Sequence, residues 1–132
     1  FVAVDTVFVE CAASVHGGAV HGGHGSELLF RGRSLIANST AQLSGGGVFG
    51  DNFKSTIAFE DQATIATCEA REGGGVMGSD VTIAGEAVVA ECSALFAGGG
   101  IHVRGSVVLR DRGVVRDCRA SGEGGIGGGV TE

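Results

Sequence analysis

The chain has 132 residues, 26 of them Gly, with no Pro, Trp or Tyr, 43% hydrophobic content and a net charge of −6. That acidity argues against nucleic acid as a partner, and no apolar run approaches the ~20 residues that a membrane-spanning helix needs. The glycines lack the every-third-residue period of a collagen helix, and the Val and Ala spaced regularly among them exclude a disordered low-complexity chain.

In chain order, Phe1-Val2-Ala3-Val4 and Val7-Phe8-Val9 are short strand-like runs that lead into Cys11-Ala12-Ala13 and then Gly17-Gly18-Ala19-Val20. Phe1 begins inside a strand pattern, without the basic segment and cleavage motif of a signal peptide. For a secreted protein that segment is removed or lies upstream. The same order then recurs as Leu28-Leu29-Phe30, Leu35-Ile36, Asn38-Ser39-Thr40 and Gly45-Gly46-Gly47-Val48. A third pass gives Thr56-Ile57-Ala58-Phe59, Thr64-Ile65-Ala66, Cys68-Glu69-Ala70 and Gly73-Gly74-Gly75-Val76. The fourth is Val81-Thr82-Ile83, Val88-Val89-Ala90, Cys92-Ser93-Ala94 and Gly98-Gly99-Gly100-Ile101. The fifth is Val107-Val108-Leu109, Val114-Val115, Cys118-Arg119-Ala120 and Gly124-Gly125-Ile126. Turn-forming clusters such as Arg31-Gly32-Arg33, Glu60-Asp61-Gln62 and Asp111-Arg112-Gly113 separate the first two runs of a pass.

The Cys/Asn positions are 27, 30, 24 and 26 residues apart, the period of a solenoid whose units bury their apolar faces only against one another. Short β-branched runs bounded by turn residues are strands, and helical caps and a 3.6-residue period are missing. The expectation is an all-β, right-handed parallel β-helix of about five coils, each with three short strands and three turns. It forms a single domain over residues 1–132, with partial coils at both ends. In it Cys11, Asn38, Cys68, Cys92 and Cys118 form an inward or turn-edge ladder, with equivalent residues ~4.8 Å apart.

The phrase Asn/Cys-x-Ala followed by Gly-Gly-Gly-Val or Gly-Gly-Gly-Ile resembles the Gly-Gly-Ala-Ile repeat of chlamydial polymorphic outer-membrane proteins and related β-helical surface proteins. The resemblance covers essentially the whole chain. It implies pectate-lyase-like β-helix architecture, a surface or secreted location, and an adhesive or structural role.

Candidate chemistry is sparse. Without a Cys-x-x-Cys, zinc ribbons and thioredoxin-type sites are disfavoured, and the ladder reads as unbonded packing thiols, with a Cys92–Cys118 bridge as the alternative. His16, His21 and His24 lie within nine residues. Three imidazoles on one loop suit Zn or Cu, but the intervening glycines fix no geometry, so no metal and no cofactor is expected. Gly23-His24-Gly25 is similar to a fragment of the polygalacturonase branch of β-helical enzymes, which implies clustered catalytic aspartates. Asp51, Asp80 and Asp111 are instead scattered over different coils, and glycoside hydrolysis needs two carboxylates at a set separation. Asn38-Ser39-Thr40 is an N-glycosylation acceptor triplet. Its Asn is assigned to the ladder and is therefore expected to be buried without a glycan. Finally, His21, Phe49, Met77 and His102 each follow the β-branched residue of a glycine run. Alternation points them outward as a lateral contact face.

The two ends fit each other. Passing from Glu132 of one copy to Phe1 of the next makes the Cys118-to-Cys11 interval 25 residues, so five coils close in phase with the chain length. Residues 1–30 carry Asp5, Glu10 and Glu27 with no Lys or Arg, whereas residues 101–132 are net +1. The sequence thus points to a non-enzymatic, extracellular or cell-surface structural protein. Its partners are copies of itself stacked end to end into a filament, or the flanking coils of a longer solenoid. An adhesin that binds a host surface or polysaccharide through the His21 row is the first alternative. A fragment of a carbohydrate-active β-helix enzyme is the second.

Overall fold

The computed structural model describes residues 1–51, 53–122, 125 and 127–131. Gly124, Ile126 and Glu132 lie outside the described residues, and because Ile101 pairs with Val130 the fifth glycine run is Gly127-Gly128-Gly129-Val130 rather than the expected Gly124-Gly125-Ile126. Those described hold no helix and form five coils of short strands. The first coil is β1 (Val2–Val4), β2 (Val7–Val9), β3 (Ala12–Ala13) and β4 (Val20–Gly22). The second is β5 (Glu27–Arg31), β6 (Leu35–Ala37), β7 (Thr40–Ala41) and β8 (Val48–Gly50). The third is β9 (Thr56–Phe59), β10 (Thr64–Ala66), β11 (Glu69–Glu72) and β12 (Val76–Gly78). The fourth is β13 (Asp80–Ile83), β14 (Val88–Ala90), β15 (Ser93–Ala97) and β16 (Ile101–Val103). The fifth is β17 (Val107–Leu109), β18 (Val114–Arg116), β19 (Arg119–Ala120) and β20 (Val130–Thr131).

Equivalent strands stack into four parallel five-stranded sheets, so the molecule is a parallel β-solenoid. The coil has four strands rather than the expected three. The extra one follows the Cys position and is as short as two residues, as in β3, β7 and β19. A glycine in the left-handed region (Gly17, Gly45, Gly73, Gly98 or Gly127) then turns the chain into the fourth strand. At all five glycines an added Cβ would run into the carbonyl of the residue three positions on, so the tight turn excludes any side chain.

Register is kept from coil to coil, so inward residues form columns. Ala3, Phe30, Phe59, Ile83 and Leu109 make one; Phe8, Ile36, Ile65, Val89 and Val115 a second; Val20, Val48, Val76, Ile101 and Val130 a third. Phe30 and Phe59 stack within theirs, with centroids 4.7 Å apart and planes at 7°. Burying such columns between coils is the main stabilising term, at about 1.5–3 kcal/mol per large side chain.

Two further corners also use the left-handed region, largely without glycine. Glu10, Asn38, Thr67, Glu91 and Asp117 form one column, with φ between 52° and 55°. Asp5, Gly32, Asp61, Gly85 and Asp111 form the other. In the second, carboxylates satisfy the amides of neighbouring coils. Gly32 N donates to Asp61 Oδ2 at 3.0 Å, Gly85 N to Asp111 Oδ2 at 3.2 Å, and Arg33 N to Asp5 Oδ1 at 2.8 Å. The alternation of Gly and Asp therefore provides an acceptor for every second corner amide.

Candidate functional site

The ladder is real but its register differs from expectation at one rung. Ala12 pairs with Thr40 and Thr40 with Glu69, so the residue that lines up with Cys11 and Cys68 is Ser39. Cys11 N donates to Ser39 Oγ at 3.4 Å, and Ser39 is fully buried. Asn38 is exposed at the preceding corner, where its Oδ1 accepts from Thr67 Oγ1 at 2.6 Å. The expectation of a buried Asn38 is thus corrected; a left-handed corner turns its side chain away from the core.

The four cysteines carry free thiols. Cys68 and Cys92 are buried, and Cys11 and Cys118 are half-buried toward the two ends. Each thiol donates to the carbonyl two residues back, at 3.5 Å for Cys11, 3.3 Å for Cys68 and Cys92, and 3.2 Å for Cys118. The neighbouring thiols Cys118 and Cys68, together with burial, push the titration of Cys92 well up. Cys118 moves the other way, to about 7, because the Cys92 S–H supports its thiolate while partial burial opposes it. Cys68 is lowered by the same S–H, against burial. Of these neighbours the half-exposed Cys118 is where a thiolate can also be hydrated.

The His21/Phe49/Met77/His102 row does form one column on the fourth sheet. It is not the exposed face expected from alternation, because Phe49 and Met77 are buried. The loop before the first glycine run covers it at Phe49. That loop is itself laddered through His16, Ser44 and Glu72. The His16 ring stacks on Phe49 at 4.2 Å and 14°, and His21 meets the same ring edge-on at 5.0 Å. Burial lowers the His16 pKa, as does His21 nearby, with Asp51 opposing. His102 is lowered by burial and Arg104, with Glu72 opposing. Both rings keep a buried Nδ1 without a partner.

Among the described residues, no group of three or more His, Cys, Asp or Glu side chains is placed to hold a metal ion. His16 and His21 flank Phe49, whereas His24 lies against Phe53 at 6.1 Å. The three imidazoles therefore do not converge. The Asp80 and Asp111 carboxylates are likewise occupied by local structure, whereas Asp51 is held through its backbone. Asp80 accepts from Ser106 N and Oγ at 2.9 and 2.7 Å, and Asp111 from Gly85 N.

No family model, no curated protein and no solved structure matches this chain. The fold and the surface carry the functional argument alone.

Two surface features stand out. At the first coil the core opens into a cavity of about 470 Å³ whose walls include Phe1, Phe8, Val20 and Leu28. At the other end Leu109 is 48% and Val130 37% exposed, although the residues before them in the same columns are buried. The core columns therefore reach solvent at both ends. The second feature is a side cleft of about 240 Å³ lined by His16, Leu43, Ser44, Arg71, Glu72 and Phe96. Arg71 lies over the Phe96 ring at 4.9 Å. Sequence reading missed this cleft because Arg71 and Phe96 come from different coils, and only the register brings them together.

Proposed function

We propose that this is a structural, extracellular or surface-located solenoid whose working surfaces are its two ends. Coil stacks on coil there in the register used inside the molecule, joining either a second copy or further coils of a longer chain. The observation that carries this reading is the exposure of Leu109 and Val130 in columns that are sealed from water in the inner coils. Covering them removes apolar area at about 25 cal/mol per Å² and pairs strand edges that otherwise template association. The acidic first coil and more basic last coil favour head-to-tail contact. The likeness of the glycine phrase to Gly-Gly-Ala-Ile surface repeats supports the location.

The test is association of the 132-residue chain across a concentration series, with electron microscopy. Both forms of the proposal expect concentration-dependent oligomers. In filaments, five coils at about 4.8 Å give an axial repeat of ~24 Å per copy. A monodisperse monomer at high concentration, without filaments, refutes stacking ends.

A second reading, a binding module for glycans or a host surface, moves from the buried row to the Arg71/Phe96 cleft. A guanidinium laid on an aromatic ring offers both a donor fork and an apolar platform. Glycan-array binding that is lost in Arg71→Ala supports it; an array without signal removes it.

A further inference from the structure

The Asn38-Ser39-Thr40 triplet divides its work between core and surface. Ser39 fills the ladder slot, while Asn38 and Thr40 on either side of it are exposed. We propose that Asn38 is an N-glycosylation site, carrying an oligosaccharide delivered from a lipid-pyrophosphate donor during secretion. The inference concerns the side of the solenoid, and it stands or falls independently of end stacking.

Three observations combine. The acceptor triplet needs Asn and a hydroxyl two residues on, and Thr40 supplies the hydroxyl. The fold accepts a bulky substituent only if the Asn is at the surface, and the left-handed corner at φ 52° puts it there. Its column neighbours Glu10 and Thr67 are exposed too, so the corner is open along the axis. The third observation concerns which amide atom the fold uses. Oδ1 accepts from Thr67 Oγ1, and the backbone amide of Asn38 donates to Ala66 O at 3.2 Å and to Thr67 Oγ1 at 3.3 Å. Among the described residues Nδ2 has no hydrogen-bond partner, so the fold spends the oxygen and leaves the nitrogen available.

The chemistry respects that division. In the transfer, the bond from Nδ2 to the anomeric carbon of the first sugar forms. The bond from that carbon to the pyrophosphate oxygen breaks, the lipid pyrophosphate leaves with the electron pair, and one amide proton passes to the transferase base. The product keeps Oδ1 as an acceptor, so the Thr67 contact survives in the glycoprotein. The glycan would sit on the side of the second coil, one coil in from the first.

The experiment produces the full chain, behind a secretion leader, through a eukaryotic secretory pathway, and reads intact mass and peptide maps. The expected result is one glycan on the Asn38 peptide of protein that keeps its β-type circular dichroism. An amidase specific for N-glycans should release it and convert Asn38 to Asp. The glycan should be lost in Asn38→Gln and in Thr40→Ala, and kept in Thr40→Ser. Thr40→Ala leaves Asn38 itself in place, so it tests the acceptor even if the Gln variant folds poorly. Secreted, folded protein with unmodified Asn38 overturns the proposal. So does a glycan found only on misfolded material, because the argument requires that the folded corner accommodate it.

Discussion

Alanine placed along the third glycine of each run should give a graded series. At Gly100 an added Cβ meets Gly129 O at 2.7 Å, Val115 Cγ1 at 2.8 Å and Cys118 Sγ at 3.0 Å. At Gly75 it meets Gly100 O at 2.8 Å, with Cys92 Sγ and Val89 Cγ1 both at 3.1 Å. Gly47 is a little looser, with Gly75 O at 2.9 Å and Cys68 Sγ at 3.4 Å. Gly129 is open, its nearest atom being Val115 Cγ1 at 3.8 Å. The closest clash in each case comes from the next coil, which at Gly129 is not there; at Gly47 Ile36 Cγ2 of the same coil adds a contact at 3.2 Å. Overpacking costs about 1–3 kcal/mol, and the stiffer unfolded chain returns ~0.4–1 kcal/mol of it. Gly75→Ala and Gly100→Ala should therefore lose roughly 1–2 kcal/mol, and Gly129→Ala should be neutral or slightly stabilised. In thermal melts of dilute protein, the two inner variants should fall by roughly 3–8 °C relative to Gly129→Ala. At high concentration Gly129→Ala should instead lose association, because an in-register partner brings the missing clash. The first coil supports the same logic: it carries Ala19 in this row, and the ladder residue of the following coil is Ser39 rather than Cys. If Gly129→Ala melts with Gly75→Ala in dilute solution, coil-on-coil crowding is not what selects these glycines.

Four further outcomes are expected. Phe59→Ala should cost about 3–5 kcal/mol in urea unfolding, through loss of the stack with Phe30, while the exposed Phe53→Ala should stay within about 0.5 kcal/mol. Thr67→Asn should raise the urea midpoint, with a gain of about 1 kcal/mol, because a β-branched residue at φ 53° is strained where Asn is tolerated. Alkylation should strike Cys118 ahead of the buried Cys68 and Cys92, with a rate that rises as pH passes through about 7; Cys92→Ala should slow it at neutral pH about tenfold by removing the S–H donor. Since His16 and His102 are lowered from 6.5, the fold favours their neutral rings; that stability is present above pH 6.5 and lost as pH falls through the lower folded values. His16→Phe and His102→Phe should each flatten the fall in melting temperature between neutral and acid pH.

Much of this was legible because the repeat writes the same strand five times. The runs at Leu28, Thr56, Val81 and Val107 each became the first strand of a coil, as their β-branched content requires. The third strand escaped notice because Ala12-Ala13 and Thr40-Ala41 are too short to show alternation, and their inward residue is only Ala. The recurrent Ala two places after Cys was its signal. Treating Asn38 as equivalent to the cysteines puts it on the wrong rung, with first intervals of 27 and 30 residues. With Ser39 on the rung they become 28 and, from 39 to 68, 29, a more even spacing that favoured the correct rung. Burial of Phe49 and Met77 was not legible, since alternation says which side of a strand a residue takes and not whether a loop folds over that side.

Parallel pairing gives the molecule a direction. Its two faces differ in every strand edge, so no two-fold axis can bring an end against itself with the strands still parallel. Under the proposed stacking, contact through the ends is therefore heterologous, and nothing in it closes a ring of two. An assembly grown this way is a vector, with a leading tip and a trailing tip that add subunits at different rates. A variant damaged at only one face would still bind through the other and then stop growth there, so a small fraction of Gly129→Ala mixed with native chain should shorten filaments out of proportion to its amount.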